Sequence, residues 1–268
     1  MLLRRNYHTH TARCGHAIGK DEEYVLNAIN NGIKELGFSD HIPFPDIVQI
    51  GVRMDYSLLD EYISSLTFLK EKYKDQINIL IGFEAEYYPI KDEYYSYLLS
   101  KIDYLICGQH FNLADDNYLY IVNLKNDKNA VIQYVDNVIG AMKSGMFSYI
   151  AHPDIIMRSY LYRDSFLENQ IRRICEASIL YDVPLEINLE GMKRKIQMGD
   201  PLGENFYPFI SFWKIVGEYP QIKTIIGADV HDPNDLNSDY DKYARTIVNM
   251  CNLHLIDKLE IKNNIKKR

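Results

Sequence analysis

The sequence predicts an α/β fold, a distorted (β/α)7 barrel, and three observations predict it. Short apolar runs alternate with amphipathic stretches, seven of each, the pattern from which parallel sheets covered by helices arise. Seven of the eight histidines fall at the end of an apolar run or in the loop just behind it. No Pro/Gly/Ser-rich linker, low-complexity segment or fixed-period repeat divides the 268 residues, so one domain over residues 1–268 is expected.

The first strand, residues 5–8, runs into His8-Thr9-His10, where the alternation of a strand puts both imidazoles on one face. His16 follows in the loop after Cys14-Gly15, and residues 21–31 form the first helix. The second strand, 35–39, closes on Ser39-Asp40-His41. Helix 56–73 comes next, with Leu58, Leu59, Tyr62, Ile63, Leu66 and Leu69 at helical spacing. Strand 77–83 ends in Glu84-Ala85-Glu86, two acids at i and i+2, before helix 92–100. Strand 104–108 leads to Gln109-His110 and then helix 129–144. Strand 147–151 leads to His152-Pro153-Asp154 and helix 165–180. Strand 184–188 precedes helix 208–218, and strand 224–227 leads to Asp229-Val230-His231 and helix 239–251.

In such a barrel the C-terminal ends of the strands form one rim, where these folds place their chemistry. Taken singly, a histidine at a strand end is more often a hydrogen-bonded structural residue than a ligand, and Glu84 or Asp229 alone can cap a helix. Seven histidines and two acids on one rim are not explained by capping. Imidazole with carboxylate suits zinc, manganese or iron. Two or three such divalent metal ions are expected at the C-terminal ends of the strands.

Composition narrows the class. With 47% hydrophobic and 25% charged residues the chain is of globular type. A net charge of −7 argues against nucleic acid or an anionic membrane as the main partner. It leaves a small anionic substrate open, because bound divalent cations invert the local sign. The dense basic run at residues 262–268 reads as a solvated helix end. Cys14, Cys107, Cys175 and Cys251 are dispersed without a C-x-x-C pair, so neither a disulfide framework nor a thiolate zinc site is expected. No apolar run reaches the length of a membrane span, and residues 1–5 are too short for a signal peptide. A reducing, cytoplasmic location follows as an expectation. No pattern in the chain gives an oligomeric state.

The ordered set HTH, SDH, GFEAE, CGQH, AHPD and ADVH resembles the polymerase-and-histidinol-phosphatase (PHP) superfamily. Within it, YHTHTARCGHA, GFEAEYYP, ICGQHF, IAHPD, LEINLEG and GADVHDP look like the histidinol-phosphate phosphatase branch, over residues 7–233. The resemblance implies the distorted (β/α)7 barrel and hydrolysis of L-histidinol phosphate, a small phosphomonoester of histidine biosynthesis, to L-histidinol and phosphate. Carried over by motif, it implies His8, His10, Glu84 and Asp229 at a first metal. Glu84 would bridge to a second with His110 and His152, and His16, His41 and His231 would hold a third. All nine positions are intact.

This ligand set suggests a working mechanism. Two ions about 3.5–4 Å apart share a water and lower its pKa from about 15.7 towards about 7, and the bridging hydroxide attacks phosphorus in line. The third ion and basic residues stabilise the phosphoryl oxygens. Asp229 or His231 passes the proton. Arg158 and Arg194 are candidate phosphate clamps, suited to bidentate contacts. Lys193 and Lys195 are read equally well as solvated loop charges. Glu86, Asn188 and Glu190 are candidates to meet the amine and imidazole of histidinol, and Glu86 alternatively orients a ligand imidazole. Superfamily members acting on phosphotyrosine proteins, nucleotides or nucleic-acid ends remain alternatives. An amidohydrolase-like C–N hydrolase also begins with H-x-H, but no lysine closes a strand here to bridge its metals. The complete ligand set disfavours a non-catalytic metal-binding protein.

Overall fold

The computed structural model describes residues 3–114, 117–237 and 239–261. In chain order the strands are β1 (Arg5–Asn6), β2 (Glu35–His41), β3 (Asn78–Ala85), β4 (Tyr104–Cys107), β5 (Phe111–Ala114), β6 (Asn117–Tyr120), β7 (Phe147–Ile150), β8 (Leu185–Asn188), β9 (Lys223–Gly227) and β10 (His254–Leu255). The helices are α1 (Asp21–Asn30), α2 (Leu59–Lys72), α3 (Asp92–Leu99), α4 (Lys128–Ser144), α5 (Ser165–Tyr181), α6 (Leu189–Gln197), α7 (Ile210–Val216) and α8 (Asp241–Met250). One curled sheet has the order β1-β2-β3-β4-β7-β8-β9-β10 with every pair parallel, while β5 and β6 pair antiparallel beside it.

A parallel strand covered on both faces needs a near-continuous apolar run. β4 (Tyr-Leu-Ile-Cys) and β7 (Phe-Ser-Tyr-Ile) are buried at every residue. The helices bury one stripe each, as α2 does with Leu59, Tyr62, Leu66 and Leu69. Aspartates fix two helix starts: Asp127 accepts from the Asn129 and Ala130 N–H groups ahead of α4, and Asp164 from Leu167 ahead of α5.

The sheet closes into a barrel only at its rim. Just past β1 and β9, Thr9 bridges Val230 in parallel. There the His10 N–H donates to the Val230 carbonyl at 2.9 Å, and the Val230 N–H to the His8 carbonyl at 3.2 Å. At the base β9 pairs with β10 instead, through Lys223 and Thr224. The Leu259 N–H donates to the Tyr7 hydroxyl at 3.2 Å, so the segment after β10 fills the gap beside β1. This wedge is what distorts the barrel.

The expected alternation is present, with differences that have physical causes. The first strand is cut to two residues because the Asn6 amide competes for its backbone partners. Its Nδ2 donates to the His8 carbonyl at 3.0 Å, and its Oδ1 accepts from the Ala228 N–H at 2.9 Å. β10 and the β5–β6 pair are additions to the seven strands. Residues 193–195, expected in a loop, lie on α6, and helix 208–218 shrinks to α7 behind Pro208. The basic run 262–268, and residues 1–2 of the N-terminal stretch, lie outside the described residues. Among the described residues no helix is long and apolar enough to cross a membrane, and all four cysteines are free and buried.

Candidate metal centre

Seven imidazoles and two carboxylates meet at the rim end of the barrel. His8 and His10, fully buried, form the floor, with Glu84 and His152 each 1% exposed. His41 lies at their side, and His110, His16 and His231 stand nearer the mouth. The rings are in mutual contact: His10 and His231 stack at 4.2 Å between centroids, and His10 and His41 lie 4.4 Å apart. His110 and His152 lie 4.8 Å apart. His254 sits on β10 at the opposite end, paired with Lys223.

Glu84 is central. Its Oε1 lies 2.8 Å from His152 Nε2 and 3.6 Å from His110 Nε2. Its Oε2 lies 3.1 Å from His41 Nδ1 and 3.5 Å from Nε2 of both His8 and His10. Asp229 Oδ1 reaches His10 Nε2 at 3.1 Å and His8 Nε2 at 3.4 Å. His16 and His231 turn their Nε2 atoms to one another at 3.1 Å.

Apart from His152–Glu84 and His16–His231, these contacts are not ordinary hydrogen bonds. Buried polar atoms in proteins are nearly all paired, because an unpaired one keeps its full desolvation cost. Yet His8 Nε2, both ring nitrogens of His10, Glu84 Oε2 and His152 Nδ1 have no partner of hydrogen-bond geometry. Donor atoms of His8, His10 and Asp229 lie within 4.8 Å of one another, as do those of His8, Glu84 and His152, and of His10, His41 and His231. Nitrogen and carboxylate oxygen converging without partners form a donor set that fits divalent cations.

The electrostatics split the imidazoles into two groups. Burial opposes charge on His8, His10, His41 and His231. At His8 the carboxylates of Asp229, Glu186 and Glu84 overcome burial and hold the ring well above its ordinary pKa. At His10, Asp229, Asp40 and Glu84 do the same, to about 9. Burial and the charge on His10 push His41 well below its ordinary value and His231 down to about 3. Against burial, the surrounding imidazoles hold Glu84 and Asp229 well below the carboxylate range. Both acids are therefore anionic.

Backbone and neighbours make room for this. A Cβ on Gly108 would stand 1.9 Å from Glu84 Oε1, and one on Gly227 would stand 1.7 Å from Glu186 Oε1. His152 and Asp229 both take positive φ, 30° and 49°. Strain of this kind is held only where surrounding structure over-determines it. Two acids not assigned from the sequence, Glu186 and Asp40, hold the rings or their backbone. Glu186 accepts from His8 Nδ1 at 2.8 Å and from the His152 N–H at 3.0 Å. Asp40 lies 3.6 Å from His10 Nδ1 and takes both the N–H and the hydroxyl of Thr11. Asp154, two residues after His152, accepts instead from the Phe209 N–H at 2.6 Å and Trp213 Nε1 at 3.2 Å. A signal for Glu186 was present, an acid between apolar Leu185 and Ile187 that must be paired if buried, but nothing in the sequence says with which group.

The cluster opens into a cavity of about 770 Å³ that is also lined by Arg158, Arg194, Phe206 and Tyr207. Both guanidinium groups lie over the Phe206 ring, at 4.3 Å for Arg158 and 5.7 Å for Arg194. Glu190 also faces the cavity, and burial followed by the charge of Asp229 raises it to about 7. Other candidates do not reach it. Lys195 is buried and donates to the Pro208 carbonyl at 2.9 Å, being neither a clamp nor a solvated charge. Lys193 is held by Asp235 at 2.6 Å. Asn188 is buried, donating to Glu186 and Asp229 and accepting from the Gly191 N–H. Glu86 is buried against Arg53, away from any substrate.

A family model described as the PHP domain matches residues 6–190, more than half of the chain. The chain belongs to the PHP family. Among curated relatives, this PHP chain is 27% identical to a probable histidinol-phosphatase of Deinococcus radiodurans, covering 85% of the chain and 86% of the relative. It is 22% identical to the histidinol-phosphatase of Bacillus subtilis over 90% of the chain and 98% of the relative. Its fold matches that of a crystallised histidinol phosphate phosphatase from Lactococcus lactis, complexed with zinc, L-histidinol and phosphate. There the TM-score is 0.71 and the identity 20%, covering 97% of this chain and all of the other.

Proposed function

We propose that this PHP chain is a metal-dependent phosphomonoesterase that hydrolyses L-histidinol phosphate to L-histidinol and phosphate, working as one barrel domain over residues 1–268. The observation that carries the reading is the convergence of unpartnered imidazole and carboxylate atoms on a cavity that two arginines also line. The names of relatives that match over most of their length support the substrate. His8, His10, Glu84 and Asp229 would hold one cation, Glu84 with His110 and His152 a second, and His16, His41 and His231 a third. Zinc, manganese and iron all suit these donors. Such cations supply Lewis-acid charge and acidify water near neutral pH.

The protein's own groups do the rest. Arg158 and Arg194 take the phosphoryl oxygens, Phe206 fixing the height of both guanidinium planes. Phe206 and Tyr207, stacked at 4.6 Å, give the cavity an apolar wall that excludes water and can pack a substrate imidazole. Asp229 or His231 moves the proton from attacking water towards the leaving alkoxide. Glu186 fixes the tautomer of His8 by taking its Nδ1–H, so that Nε2 faces inward, and the Asp40 carboxylate stands 3.6 Å from Nδ1 of His10. Four free cysteines and a small-molecule reaction suit a reducing cytoplasm.

The test is elemental analysis of the purified chain, with phosphate release measured on histidinol phosphate, a phosphotyrosine peptide and a nucleotide. Two or three metals per chain and preference for histidinol phosphate are expected. Metals with preference for another ester would move the substrate and keep the chemistry. Fewer than two metals after reconstitution, with no phosphate released, would overturn the proposal.

A further inference from the structure

We infer that Arg53 is a positioning residue for the metal centre, acting through Glu86 on His110 and through the Ile42 carbonyl on His41; the inference rests on the metal-centre reading above. Arg53 lies outside every motif that identifies the site, on the loop between β2 and α2, and is 5% exposed. A buried guanidinium needs a reason to be there, since its desolvation is repaid only when its donors are well matched. Here they are. Nη2 lies 3.1 Å from Glu86 Oε1 and Nη1 3.2 Å from Oε2, a two-pronged pair. Nη1 also donates to the Ile42 carbonyl at 3.0 Å, and Nε donates to Gln49 Oε1 at 2.7 Å. The guanidinium plane is covered by Phe44 at 5.4 Å and Phe111 at 5.9 Å.

Two of these contacts, to Glu86 and to Ile42, lead to the cluster. Glu86 Oε1 lies 3.6 Å from His110 Nδ1, while His110 Nε2 faces Glu84 Oε1. Glu86 therefore presents its carboxylate, 3.6 Å away, to the His110 nitrogen that points away from the cluster, and Arg53 fixes that carboxylate in place. Ile42 directly follows His41, so its carbonyl bond pins the backbone that aims that ring. Gly51 and Val52, the two residues before Arg53, line the cavity. One side chain thus sets two imidazoles and one edge of the substrate cavity. Lysine cannot replace it, because a single ammonium cannot span Glu86 with two parallel bonds and also reach Ile42 and Gln49.

The test measures zinc affinity, by competition with a chelator, for the unaltered chain, Arg53→Met, Arg53→Lys, Glu86→Gln and the double variant Arg53→Met/Glu86→Gln. Folding of each is checked by circular dichroism. Loss of a partner that orients a ligand costs about 10- to 100-fold in metal affinity. Arg53→Met is expected to weaken at least one zinc by that factor, with Arg53→Lys restoring only part of it. Glu86→Gln, a shape-conserving change that serves should Arg53→Met not fold, is expected to weaken zinc in the same range. Because both residues act through one chain of contacts, their effects should be less than additive. Undiminished zinc affinity in folded Arg53→Met, or in Glu86→Gln, would overturn the inference, and so would strict additivity. An unaltered chain that binds no zinc would overturn the metal reading itself, a result distinct from equal zinc binding by all variants.

Discussion

Glu186 illustrates how a residue outside the nine cluster residues sets the placement of two of them. It spans two cluster residues, accepting from the His8 ring and the His152 backbone. Glu186→Gln keeps the shape and loses the charge, and should lower zinc affinity or phosphatase activity about 10- to 100-fold in a chelator titration or steady-state assay. His10 carries a second expectation. Its carboxylate neighbours hold its pKa up at about 9, so over the neutral range a cation must displace a proton to bind. Zinc affinity should therefore rise from about pH 6 to about pH 9 and then flatten. Calorimetry in buffers of different ionisation heat would reveal proton release at pH 7; none would refute that competition. The nine residues drawn together here could be named from the sequence because each ends a strand or opens the next loop. Glu186, Asp40 and Arg53 could not be assigned. Their work lies in contacts between strands and loops distant in the chain, and no spacing records such contacts.

Among the segments, the turn after β7 shows why a motif residue need not be a ligand. Asp154 in AHPD holds the entrance of α7 by the Phe209 N–H and the Trp213 indole, in a fully buried setting. Asp154→Ala should cost about 1–3 kcal/mol for each donor left unpaired, read as a lower urea midpoint, while zinc content stays near that of the unaltered chain. Loss of zinc in proportion to stability would instead place Asp154 among the groups that hold metal. Strands such as β3 and β4 could be read directly because their apolar runs, Ile79–Phe83 and Tyr104–Cys107, are continuous. α6 could not: its Leu189, Met192 and Ile196 are separated by charged residues, which read as a loop. β10 has only two residues, His254 and Leu255, too few for any periodicity.

For the molecule as a whole, the centre is a large store of unfavourable desolvation until cations fill it, so metal should dominate measured stability. Zinc at 100 times its dissociation constant should add about 2.7 kcal/mol for a single site that the unfolded chain does not bind. A thermal melt with and without chelator measures this, and coincident melts for a chain shown to carry zinc would contradict it. The parallel α/β architecture was evident from alternation alone. What the alternation could not say is how the ring closes, since that depends on Asn6 breaking the first ladder and on a wedge contributed from the far end of the chain.

That closure has a consequence for motion and for the order in which the fold loosens. The rim joint between Thr9 and Val230 links the two ends of the ring with only a few backbone bonds. His8 and His10 lie on one side of it, and Asp229 and His231 on the other. A cation held across them acts as a clasp joining segments more than 200 residues apart, closing a loop that is nearly the whole chain. When the clasp is removed, this seam should open before the interior strands do. In hydrogen-exchange measurements after chelation, the amides of His10 and Val230 should lose protection while those within β3 and β4 keep theirs. Uniform loss across all strands would mean that the ring yields as one cooperative unit.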